Sequence, residues 1–352
     1  KGEGTGGFYD DGAADVEMYD PAGDAGVDFT GFKSVFGLPG YRTMQPAHIF
    51  GDAPDGVGTW LAMYDGYTDF VDEYVDLVRV DNPLGTPEFT HHQINVGDLE
   101  DALLYPTLFA GQRNSTALID GGDHRTLNAV WRNDSLYVTT VIYPQQGSDI
   151  NEVTAHWFRF NTSDLDDPVL ADQGDISGDD IGFAVNTMWP AVMVDAEDNM
   201  AITFSASGPS LYGGSYYAMR AADDPPGTIR STVTIAAGLD AFDLFGTGTP
   251  RWGDYASVAL DPTDEVTLWA YNMYSLPEQG LGGRWGTRWG SFRMGAEPGE
   301  TPPGETTISG VVWNDANENR RRDDNEYGLK DWLVYVDLDG DGERDLGEPS
   351  IR

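Results

Sequence analysis

Trp189-Pro190-Ala191-Val192-Met193-Val194-Asp195, a turn, and then Met200-Ala201-Ile202-Thr203-Phe204-Ser205 read as two β-strands joined by a tight hairpin. The first run ends on an Asp, and Glu197-Asp198-Asn199 between the runs has the polar composition of a turn. The same pattern returns at Tyr255-Ala256-Ser257-Val258-Ala259-Leu260-Asp261, a turn, and Val266-Thr267-Leu268-Trp269-Ala270-Tyr271. In both copies small residues precede the closing Asp and aromatics occupy the second strand. A repeated hairpin of this kind implies a repeated unit of sheet.

Working outward, short β-branched or aromatic segments separated by turn clusters cover 43–50, 59–67, 74–80, 88–96, 127–132, 135–143 and 153–161. They continue through 189–195, 200–207, 216–220, 232–237, 256–260, 267–274 and 288–294. The body is therefore expected to be all-β. Grouped in threes and fours, the segments form units of roughly 45–55 residues, the period of propeller blades. Unit length favours a β-propeller; a β-sandwich of repeated hairpins is the alternative.

Composition agrees with this class. The chain has 352 residues, 44 Gly and 20 Pro. Its Lys residues are confined to Lys1, Lys33 and Lys330, so a helical bundle is not expected. No apolar run is long enough for a membrane-spanning helix. With 59 acidic and 20 basic residues the net charge is −39, which opposes nucleic-acid binding through phosphates. It points instead to calcium, basic surfaces or neutral sugars as partners. Without cysteine there is no disulfide framework, thiolate metal site or Cys nucleophile. Lys1-Gly2-Glu3-Gly4 carries no apolar h-region, which fits a chain that is mature or never had a leader.

Four segments are expected: an arm at 1–42, a propeller at 43–296, a Pro/Gly/Glu linker at 297–306, and a smaller module at 307–352. The linker has no large apolar residue. Within the arm, 27–36 contains Phe29, Phe32, Val35 and Phe36 and is the expected closing strand for the last blade.

The run Arg251-Trp252-Gly253-Asp254-Tyr255-Ala256-Ser257, with Leu260-Asp261-Pro262, Leu268-Trp269 and Trp285-Gly286-Thr287-Arg288-Trp289-Gly290-Ser291-Phe292, resembles the final blade of large secreted bacterial β-propeller proteins. Asp123-His124-Arg125, Val130-Trp131-Arg132-Asn133-Asp134-Ser135-Leu136 and Trp157-Phe158-Arg159-Phe160 are similar to that family's middle blades. The resemblance implies a propeller and an extracellular address. It implies no activity, since the family's functions are mostly unassigned.

The chemistry-bearing motif follows the linker. Asp315, Asn317, Asn319, Asp323 and Glu326 stand at positions 1, 3, 5, 9 and 12 of one loop. Asp337, Asp339, Asp341, Asp345 and Glu348 repeat that spacing 22 residues later. A hard cation of Ca²⁺ size takes about six to eight oxygens, and alternate side chains of a tight loop supply them. Position 7 contributes its carbonyl, here Arg321 and Glu343, and Glu326 or Glu348 closes the shell. Gly342 provides the sharp turn in the second loop, whereas Arg320 occupies that position in the first.

The flanks Val311-Val312-Trp313 and Leu333-Val334-Tyr335-Val336 are β-type, and Pro349 excludes an exiting helix, so this is no helical EF-hand. Residues 307–350 resemble the calcium-binding B-type domains of serine-aspartate-repeat surface adhesins. That resemblance implies a partial immunoglobulin-like β-sandwich on a cell-surface protein. Such a sandwich uses about seven strands, and only two are evident, at 307–313 and 332–336. The missing strands are expected from sequence beyond Arg352 or from a second copy, the latter giving a head-to-tail homopolymer.

These readings describe a secreted, extracellular or cell-surface structural or adhesive protein. Its partners would be calcium, surface glycans or other surface proteins. The alternative is a secreted sialidase- or glycosidase-like hydrolase, with Asp120, Asp123, Asp254, Trp252 and Tyr255 as the residues to consider. No sialidase Ser-x-Asp-x-Gly-x-x-Trp box occurs, and Trp252 and Trp285 are expected to pack between blades. The histidines His48, His91, His92, His124 and His156 form no zinc pattern. Adjacent His91 and His92 would face opposite sides of a strand. Sequons begin at Asn114, Asn133 and Asn161.

Overall fold

A computed structural model of the chain describes residues 44–295 apart from 52, 66–71, 101–107, 123, 247 and 278–282, together with 334–335 and 350–351. The chain divides into two compact units, Lys1–Pro302 and Pro303–Arg352. The described secondary structure is β, apart from one 3-10 turn at Leu244–Gly246. No helix among the described residues is long and apolar enough to cross a membrane.

The first strands are β1 (Gln45–Pro46) and β2 (His48–Phe50). The segment expected as one strand at 43–50 is thus two, and they belong to different sheets. Strand β1 joins β3 (Val57–Asp65), β4 (Glu73–Asp81) and β5 (Glu88–Gly97) in a four-stranded sheet of order β1-β3-β4-β5. A two-stranded ribbon follows, β6 (Phe109–Ala110) with β7 (Ile119–Asp120).

The second sheet contains β8 (Asn128–Arg132), β9 (Ser135–Ile142), β10 (Thr154–Asn161) and β11 (Val169–Ile176), and β2 runs parallel to β8 at its edge. The third is β12 (Asn186–Val194), β13 (Met200–Gly208), β14 (Leu211–Arg220) and β15 (Val233–Ala236). The fourth is β16 (Ser257–Leu260), β17 (Leu268–Leu276) and β18 (Arg284–Phe292). Apart from β2 against β8, every pairing in these four sheets is antiparallel. In the second unit β19 (Val334–Tyr335) pairs antiparallel with β20 (Ser350–Ile351).

Strand β11 escaped the sequence reading because Val169-Leu170-Ala171-Asp172-Gln173-Gly174-Asp175-Ile176 mixes β-poor Asp and Gly with few apolar residues. It sits at the edge of its sheet, where such residues are tolerated. Strand β18 begins four residues earlier than the expected 288–294 segment, directly after Gly283.

Each sheet packs on the next through its apolar register. Trp60, Ala62, Val75 and Leu77 of the first sheet form one buried cluster with Trp131, Leu136, Val138, Phe158 and Phe160 of the second. A larger cluster joins Val130, Ala155 and Trp157 to Val192, Ile202 and Phe204 of the third sheet, and these to Leu268, Ala270 and Phe292 of the fourth. Strands β12 and β13 are buried at every position because the third sheet is covered on both faces. That explains why the opening stretch of the sequence is apolar without strict alternation.

Polar pairs bind the sheets together at their edges. Arg220 Nη2 meets Asp172 Oδ2 at 2.9 Å between the third and second sheets, with both side chains buried. Arg132 Nη2 meets Glu265 Oε2 at 2.7 Å between the second and fourth. Hairpins close as their sequences dictate. Asn133 and Asp134 adopt φ of 48° and 59°, the left-handed pair that a two-residue turn requires. Asp195 Oδ1 accepts from the N–H groups of Glu197 and Asn199, and Asp261 Oδ1 accepts from Thr263 N–H at 2.9 Å. The Asp that ends the strand in each sequence copy is therefore a turn cap.

The expected closing strand at 27–36, the linker at 297–306 and the strand at 307–313 lie outside the described residues.

Candidate functional site

Two chain segments, 118–122 with 124–125, and 248–256, converge beside the third sheet. Leu118 N–H donates to Gly248 O at 2.8 Å and Asp120 N–H to Pro250 O at 3.2 Å, so β7 and the lead-in to β16 run side by side. Gly122 follows with φ of 101°, and its N–H donates to Asp120 Oδ1 at 3.0 Å. A Cβ at Gly122 would lie 3.1 Å from the Trp189 ring, so only glycine allows this approach.

Trp189 itself has φ of 55°, an outlier for a bulky residue inside a strand. It lies where the β12–β13 register shifts between Met188 and Ala191. Its indole Nε1 donates to Asp120 O at 3.2 Å. Local strain of this kind persists only when surrounding contacts over-determine it, and it concentrates at functional sites. The sequence carried one signal: Pro190 in mid-strand marks a bulge, since proline cannot donate to the ladder.

Trp252 is buried, with its ring edge-on to Phe242 at 5.2 Å, and its Nε1 donates to Ser205 Oγ at 2.9 Å. Next to it, Arg251 turns outward and is 68% exposed. Its guanidinium hydrogen-bonds Asp254 and stands 3.6 Å from Asp120 Oδ2. The Asp254 hydrogen bond, foremost, raises the Arg251 pKa further above its already high ordinary value, so this group stays charged. Arg125 Nη1 donates to the Tyr255 hydroxyl at 3.5 Å, and Tyr255 is 65% exposed.

Of the residues considered for hydrolysis, Asp120, Asp254 and Tyr255 thus stand around Arg251 and Arg125, while Trp252 is in the core. Asp123 lies outside the described residues. The sequence alone marks no role for Arg251 or Arg125. Both carboxylates face one guanidinium, which suits recognition of polar groups by fixed charges. Trp285, expected to pack between blades, is instead 55% exposed, because its odd-numbered register in β18 faces outward.

A second polar constellation is internal. Glu100 is buried at 1% exposure and accepts from Tyr64 OH at 2.9 Å and from Tyr143 N–H at 2.7 Å, while His124 Nδ1 lies 2.8 Å from it. It ties the first sheet to the second, satisfying a carboxylate that would otherwise be costly to bury. His156 Nδ1 similarly lies 2.5 Å from Asp175. His91 reaches Asp76 at 2.7 Å, whereas neighbouring His92 lies 6.0 Å from Trp60 by ring centroids. Burial foremost lowers the His92 pKa.

No group of three or more His, Asp or Glu that could hold a metal ion occurs among the described residues. Both expected calcium loops lie outside those residues: Asp315, Asn317, Asn319, Arg321, Asp323 and Glu326 in the first, and Asp337, Asp339, Asp341, Glu343, Asp345 and Glu348 in the second.

No protein-family model matches the chain, and no curated protein matches it. Among solved structures it is similar to the crystal structure of the major Malassezia sympodialis allergen Mala s 1, at 13% identity and a TM-score of 0.37. The match covers 78% of this chain and 69% of that one.

Proposed function

We propose that the chain is an extracellular structural or adhesive protein. Its first unit is a β-propeller that acts as a display or binding platform, and its second a calcium-stiffened module of the B-type β-sandwich kind. Four successive sheets, each packed on the next in chain order, support blade-like stacking, with the outer face of the fourth sheet left open among the described residues. The calcium reading rests on the donor set. Five carboxylates within one twelve-residue loop repel one another unless a cation neutralises them, and the Glu343 carbonyl adds a sixth oxygen. When bound, the ion supplies folding free energy to that loop.

The observation that carries binding over catalysis is the placement of Arg251 against both Asp120 and Asp254. A glycosidase places one carboxylic acid and one carboxylate on opposite sides of the scissile bond. Here both carboxylates are paired to one guanidinium. The test is incubation of the full chain with neutral polysaccharides and sialosides, followed in parallel by binding and by release of reducing ends or sialic acid. Binding without product release is expected. Turnover abolished by Asp120→Asn or Asp254→Asn would establish the hydrolase instead.

A further inference from the structure

The fourth sheet has two unlike faces. Leu268, Ala270 and Phe292 face the third sheet: Leu268 and Ala270 are fully buried, and Phe292 stacks on Tyr217 with ring centroids 3.8 Å apart. On the opposite face Tyr271, Trp285 and Trp289 are 50%, 55% and 63% exposed, while further along β17 Met273 is covered by the Phe242–Trp252 cluster and Ser275 is buried. The register sets Tyr271 directly opposite Trp289, and the ring of Trp269 lies 5.4 Å from that of Trp289. Trp285 and Trp289 are four residues apart on one strand, about 13 Å at the usual strand rise. Thr287 lies between them on the same face and is exposed.

Aromatic surface gathered in this way is unusual on a protein exterior and marks an interaction site. Its charge selects the partner. None of the outward positions, at 257, 259, 269, 271 and the odd residues 285–291, is charged, in a chain carrying 79 charged side chains. A second copy of the chain or an anionic membrane would be repelled by the net charge of −39. A polyanion would meet the same field without a cation on the face to hold it. A neutral polysaccharide meets neither obstacle. Its pyranose rings present flat C–H faces to the indoles and hydroxyls to Thr287 and Ser257.

We propose that this outward face of β16–β18 is a platform for a linear neutral polysaccharide, with Trp285 and Trp289 as its stacking anchors. This rests on the binding-platform reading above and names its ligand class and site. The two readings fail separately: product release would overturn the binding-only account and leave the platform standing, whereas the platform stands or falls on retention alone.

The experiment is affinity electrophoresis of the full chain through native gels containing hydroxyethyl cellulose, arabinoxylan or glucomannan, with polygalacturonate as the charged comparison. Retardation is expected in at least one neutral gel. Trp285→Ala with Trp289→Ala should weaken it at least tenfold, while Trp285→Phe with Trp289→Phe should retain part of it. Because both side chains are more than half exposed, the alanine pair should keep the wild-type thermal midpoint. Retardation in no neutral gel, retardation by polygalacturonate alone, or retardation undiminished in the alanine pair would each overturn the proposal. So would self-association or binding to phosphatidylglycerol vesicles that the alanine pair abolishes.

Discussion

Trp252 and Ser205, 47 residues apart, meet through one hydrogen bond from indole Nε1 to the hydroxyl at 2.9 Å, in a region where both side chains are buried. The contact fastens the lead-in to the fourth sheet onto the middle of β13. It also holds Arg251, the next residue back, beside Asp120. Ser205 Oγ in turn lies 3.4 Å from Asn272 Oδ1, so the third and fourth sheets share the same polar chain.

Replacing Trp252 with Ala should therefore cost about 3–5 kcal/mol of stability, the range for deleting a large buried aromatic. Ser205→Ala should cost about 1 kcal/mol and leave the indole nitrogen without its partner. Urea unfolding of the full chain measures both. A Trp252→Ala midpoint equal to wild type would show that this loop is not part of the cooperative core.

The buried Arg220–Asp172 pair gives a sharper test of sheet-to-sheet packing. Removing the guanidinium leaves a buried carboxylate with only Arg159, 4.0 Å away, to balance it, so Arg220→Met should cost up to about 3–5 kcal/mol. Combining it with Asp172→Leu should recover much of that loss, because no buried carboxylate then remains to be solvated and Arg159 reaches solvent. A double-mutant cycle by denaturant titration reads the coupling, and additive losses would contradict it.

Turn chemistry predicts a gain. Asp134 is exposed and holds φ of 59° in the β8–β9 hairpin, a conformation glycine adopts without steric cost. Asp134→Gly should raise stability by about 0.5 kcal/mol, the scale of single-residue backbone preferences. Loss of stability by thermal unfolding would show that the aspartate side chain matters more than its backbone.

Acid stability should carry the signature of Asp224. Its carboxylate is held below the ordinary value, foremost by the Arg230 hydrogen bonds at 2.8 and 3.0 Å and further by Ala221 N–H. A depressed carboxylate contributes stability that is present above its unfolded pKa of about 3.9 and is lost as pH falls through the lower folded value. The stability difference between wild type and Asp224→Asn should thus be constant from pH 7 to 5 and shrink below about pH 4. A difference independent of pH down to pH 2 would contradict this linkage.

The strands were legible in the sequence wherever apolar residues were dense, as in β12 and β13, and the turn-capping role of Asp195 and Asp261 lay in their position at strand ends. What the sequence hid was lateral. Adjacent residues of 43–50 part company into two sheets, because sheet membership depends on long-range pairing rather than on propensity. The site was half visible: Asp120, Asp254 and Tyr255 could be named, but only the fold brings Arg251 between the two carboxylates. Trp285 was misjudged because a tryptophan's pattern in an edge strand does not say which face meets a neighbour.

Calorimetric unfolding of the full chain, in EDTA and then with increasing CaCl₂, tests the calcium-stiffened module at the centre of this account most directly. The account predicts a transition whose midpoint rises with calcium by linkage, saturating with a Kd near 10⁻⁴–10⁻³ M, roughly the range of extracellular modules. Asp337→Ala with Asp339→Ala should abolish that rise. Superimposable traces with and without calcium, or a rise that survives both substitutions, would contradict it.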